Sequence, residues 1–62
     1  MDQSAYVRRI SGLTISKLIQ YHQEDIEIDI CLSMLENMMK DIPYVKGLAI
    51  NIYTGVRNHF FH

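Results

Sequence analysis

The sequence predicts an all-α fold, a small bundle of three helices that pairs with a second copy of itself. Three observations carry that expectation. On a helical wheel at about 100° per residue, Ile28, Cys31, Leu32, Met34, Leu35, Met38, Met39 and Ile42 share one arc of roughly 160°. Downstream, Val45, Leu48, Ala49, Ile52, Tyr53, Val56, His59 and Phe60 share another arc of roughly 140°. The third observation is size. A chain of 62 residues buries only about 60% of its unfolded surface, and with one cysteine it cannot staple itself by a disulfide. A well-packed core, a metal or a partner subunit has to make up the difference.

Residues 1–4 offer nothing to bury and are expected to fray, with Ser4 a candidate cap for a helix starting at Ala5. Tyr6, Val7, Ile10 and Leu13 recur at helical spacing, and Tyr21 continues their line. Gly12 weakens this helix by about 1 kcal/mol relative to alanine and marks a kink, or a break before a second piece from Thr14 to His22. That piece has its own stripe, Ile15, Leu18, Ile19 and His22, and a break would make the bundle four-helical.

The central segment, residues 26–42, is the best-defined element. Ile28, Leu32, Leu35, Met39 and Ile42 follow a 4-3-4-3 spacing, the seam of a coiled-coil-like contact. These five are the expected core and dimer seam. No Pro or Gly separates the first helix from this one, but on a continuous wheel the two stripes point nearly opposite ways. A turn near His22–Asp25, with Asp25 as N-cap, lets both face inward. Pro43 ends the central helix and fits the first turn of the next, with Asp41 as its expected N-cap.

A rival α+β layout places short strands near 26–32 and 47–54. Ile26, Ile28 and Ile30 alternate with Glu27 and Asp29, and GLAINIYTG is a β-branched run between glycines. The helical layout accounts for more positions, including Val45, Val56 and Phe60.

No residue cluster specifies a reaction, and so small a chain lacks walls for a substrate pocket, so an enzyme is not expected. Glycine-rich phosphate loops, nucleophile elbows and zinc-protease helices are absent from the sequence. His59 and His62 stand one turn apart and would need His22 and Cys31 to complete a tetrahedral zinc site. Two histidines at a chain end are a weak start, so neither metal nor cofactor is expected. Cys31 lies inside the apolar arc and is expected to be a buried thiol with a raised pKa. Met34, Met38 and Met39 read as core, with an adaptable binding surface as the alternative. Glu24, Asp25, Glu27 and Asp29 lack the pattern of a calcium loop and read as a solvated acidic edge.

The formal net charge of −1 argues against general nucleic-acid binding. The leading functional expectation is therefore a non-enzymatic interaction or regulatory protein, of inhibitor or adaptor type, that self-associates and binds a protein partner. Ile50 and Phe61, apolar but on the polar side of the third helix, are the candidate partner surface. The alternative is a dimeric DNA-binding regulator contacting phosphates through Arg8, Arg9 and Lys17. No apolar stretch reaches the roughly 18 residues a membrane span requires. The polar residues after Arg8 and Arg9 argue against a signal peptide. A lone cysteine and four methionines suit a cytoplasmic setting.

Overall fold

The computed structural model describes residues 3–61. Three helices run in order: α1 Gln3–Tyr21, α2 Ile28–Met38 and α3 Pro43–Phe60. The described residues contain no strand, which removes the α+β alternative. Residues 26–32 make the end of a turn and the first residues of α2, while 47–54 lie wholly within α3. The β-branched run keeps helical geometry because Ala49 and Val56 on one side of α3 are buried against α1 and α2.

α1 runs through Gly12 without a break. This has a direct consequence for which residues are inside. The stripe of Tyr6, Ile10 and Leu13 and the stripe of Ile15 and Ile19 lie on opposite sides of one helix, so only one can face the bundle; Leu18 and His22, expected in the second stripe, are exposed, His22 just past the end of α1. The buried set is Ala5, Gly12, Ile15 and Ile19. Gly12 earns its place by proximity rather than by bending the chain. A Cβ there would lie 2.8 Å from Met38 Cε and 3.4 Å from Leu48 Cδ2, so α2 and α3 both reach α1 at this point. Helix is already formed at Gln3 and Ser4, while Met1 and Asp2, also expected to fray, lie outside the described residues.

The expected turn between the first two helices is present, closed by the Asp25 amide donating to the His22 carbonyl at 3.0 Å. Asp25 is not the N-cap of α2. Glu27 occupies that position, without a side-chain cap hydrogen bond. α2 is also shorter than its apolar arc. After Met38 the chain tightens through Lys40 and Asp41 amides donating to the Asn37 and Met38 carbonyls, the i+3 pattern common at helix ends. Pro43 opens α3 as expected, but the N-cap is Ile42 rather than Asp41. Asp41 Oδ1 instead accepts from the Ile42 amide at 2.7 Å, because its carboxylate is already turned toward α1.

The core gathers Ile15, Ile19, Cys31, Leu32, Leu35, Ala49 and Val56, with Ile26, Ile28, Met38, Met39, Ile52, Tyr53 and Phe60 packed around it. Leu35 and Val45 are the largest side chains with no exposure left. Cys31 is buried as expected, and burial pushes its thiol above the ordinary cysteine value. The core half of the α2 arc is thus consumed within one subunit. Ile42, past the end of α2, and Met34, at the edge of the arc, are exposed.

Candidate interaction surface

The side of α1 that faces away from the bundle is apolar. Tyr6, Val7, Ile10, Leu13, Leu18 and Tyr21 are 56%, 61%, 41%, 41%, 39% and 69% exposed. Along the helix Tyr6, Ile10, Leu13 and Lys17 follow a 4-3-4 spacing, with Tyr21 one turn further. Two exposed hydroxyls beside it bond back along the helix: Ser11 Oγ donates to the Val7 carbonyl and Thr14 Oγ1 to the Ile10 carbonyl, each at 3.1 Å.

What fixes α1 in this rotation is visible on its flanks. Arg8 Nε and Nη2 donate to Asp41 Oδ2 and Oδ1 at 2.6 and 3.0 Å, a two-pronged ion pair. Arg9 Nη1 donates to the Tyr44 carbonyl at 2.6 Å, and its guanidinium lies 4.6 Å from the centre of the Tyr44 ring. Both arginines therefore tie the first half of α1 to the α2–α3 corner. The Arg8 hydrogen bond, followed by the Ile42 amide, holds the Asp41 carboxyl below the usual carboxylate range. Lys17, the remaining basic residue of α1, is exposed on the outer side.

The seam expected on α2 has a different setting. Leu32 and Leu35 are buried within the subunit, Ile28 and Met39 pack partly against the core, and Ile42 is exposed in the following turn. Ile50 and Phe61 are both exposed, Ile50 on α3 and Phe61 just past its end. Tyr53 hydrogen-bonds Glu36 Oε1 at 2.8 Å, which helps clamp α2 to α3.

No family model, curated protein or solved structure matches this chain.

The remaining concavities are shallow. One, of about 470 Å³, runs between the second halves of α1 and α3, floored by Ile19, Ile52 and Val56 and edged by Gln20, Asn51 and His59. His59 is the one titratable side chain among its lining residues, and its ring meets Phe60 edge-on at 4.7 Å. Among the described residues no three His, Cys, Asp or Glu side chains group as metal ligands. His62, the second member of the histidine pair, lies outside those residues. No helix of the described residues is long and apolar enough to cross a membrane.

The outer face of α1 escapes sequence reading because Tyr6, Val7, Ile10 and Leu13 carry the usual signature of a buried stripe. The available signal was the company they keep. Small residues at Ala5 and Gly12 fall in phase with Ile15 and Ile19 on the other side, a combination that allows close helix contact.

Proposed function

We propose that this chain is a non-enzymatic interaction protein of inhibitor or adaptor type that self-associates and binds another protein. The observation carrying this reading is the outer face of α1. It exposes six large apolar side chains between Tyr6 and Tyr21, on a subunit with a small internal core. Contiguous exposed apolar surface of this kind is characteristic of contact sites. Ile50 and Phe61 supply a second, smaller apolar surface for a partner.

The DNA-binding alternative draws less support. Of its three cationic residues, Arg8 is committed to Asp41 and Arg9 to Tyr44. Breaking those contacts to reach phosphates would loosen the α2–α3 corner. Sedimentation across the micromolar range and duplex binding at low salt test the two readings together. A concentration-dependent oligomer with no duplex binding is the expected result. A folded monomer that binds duplex with an affinity falling steeply in salt would replace this reading with the DNA-binding one.

A further inference from the structure

We propose that the outward side of α2 docks a basic amphipathic segment of another protein, an apolar anchor flanked by lysine or arginine. This rests on the reading that the chain binds a protein partner, and it names a surface and the chemistry that surface accepts.

The apolar part lies on α2 itself. Ile30 and Met34, one turn apart, are both exposed, while Ile28, Leu32, Leu35 and Met38 on the other side of the helix pack into or against the core. Ile30 and Met34 border a shallow hollow of about 400 Å³ completed by Asp29, Ser33 and Asn37. An apolar side chain entering it would cover both, and methionine adapts its shape to what it meets.

Charge names the occupant. Between Lys17 and Lys40 the chain has five carboxylate side chains and no lysine or arginine. Four of the five, Glu24, Asp25, Glu27 and Asp29, are exposed in the turn before α2 and at its start. Asp29 is in the first turn, where the helix dipole favours an acid. Glu27 holds the N-cap position yet makes no side-chain capping bond. None of the four is in an ion pair among the described residues, where Asp41 alone is bound by an arginine. Nor do they converge on one ion, since no three ligand side chains among those residues gather closely enough to hold a metal. Carboxylates spread in this way match cations that are themselves spaced along a chain, as on a basic peptide. The same field repels phosphate backbones and anionic lipid headgroups. It also disfavours the same side of a second copy, which would bring two acidic sets into one contact.

The probe is a labelled helical peptide of leucine and lysine, with its leucines along one side. The chain should bind it, with an affinity that falls as salt rises, and should not bind the copy in which glutamate replaces lysine. Glu27→Gln combined with Asp29→Asn should weaken binding roughly tenfold. Ile30→Ser combined with Met34→Ser should weaken it by roughly the same factor. All four positions are exposed, so the helical circular-dichroism signal should persist. Leu13→Ser on α1 and Ile50→Ser on α3 should leave binding unchanged. Absence of binding, equal binding of the glutamate peptide, or indifference to either α2 double variant would overturn the assignment, as would a loss caused by Leu13→Ser or Ile50→Ser. Sedimentation of the chain alone separates this failure from that of the broader reading. A concentration-dependent oligomer would leave the interaction protein standing without this site, whereas a monomer that also ignores the peptide would overturn both.

Discussion

α1 and α2 carry comparable apolar rows, yet one is turned out and the other in. On α2 the row from Ile28 to Met39 faces the bundle, and Leu35 has no exposure left. On α1 the row from Tyr6 to Leu13 faces away, and the bundle instead meets Ala5, Gly12, Ile15 and Ile19. The difference teaches that apolar spacing locates a face without saying what covers it. In α1 two further conditions decide. Small residues on one side let α2 and α3 come close enough for Met38 and Leu48 to close over Gly12. The arginines on its flanks find Asp41 and Tyr44 only in this rotation.

The sharpest way to break the comparison is to cut the same side chain from each row. Leu35→Ala should destabilise the fold by about 2–5 kcal/mol through lost transfer energy and the cavity left behind, a large part of the stability of so small a chain. Leu13→Ala, assayed by thermal melting in dilute solution where no oligomer forms, should change stability by no more than about 0.5 kcal/mol. Equal losses would mean that Leu13 supports the core after all.

The glycines sharpen the same point on a smaller scale. Gly47 has nothing within 4 Å of an added Cβ, so Gly47→Ala should stabilise α3 by about 1 kcal/mol, the ordinary helix preference for alanine. Gly12→Ala gains the same preference but must push back Met38 Cε, now 2.8 Å from the added carbon. Because the end of a methionine side chain yields easily, the expected result is a smaller gain rather than a collapse. Chemical denaturation of both variants measures the difference, and identical gains would show that α1 does not need a glycine for close approach.

The smallest effect concerns the corner that orients α1. The carboxyl of Asp41 is held below its ordinary value by Arg8 and the Ile42 amide, so the unfolded chain binds the proton more readily than the folded one. Stability from this pair is therefore present above the ordinary carboxylate range, about pH 4, and is lost as pH falls through the lowered native value. Melting temperatures of the parent and Asp41→Asn should differ by a constant small amount near neutrality and converge in acid. A gap that widened on acidification would contradict the pairing.

Much of the helical layout was legible in the residues themselves. Pro43 set the start of α3, the arc from Val45 to Phe60 gave its inner face, and the opposed phases of the first two stripes required a turn after His22. Those are local properties, fixed by backbone geometry and by spacing within one segment. Cap positions were less legible. Asp25 and Asp41 have the right chemistry for N-caps, but Asp41 is drawn to Arg8, 33 residues away, and no local rule contains that competitor. Of the candidate surface, Ile50 and Phe61 could be picked out as apolar groups on a polar side, whereas the outer row of α1 could not. Whether a row of apolar side chains becomes core or surface depends on which side of the helix other elements can approach. Sequence determined that α1 has two faces worth burying; the tertiary structure chose one, because Ala5 and Gly12 admit neighbours and Arg8 and Arg9 anchor the choice.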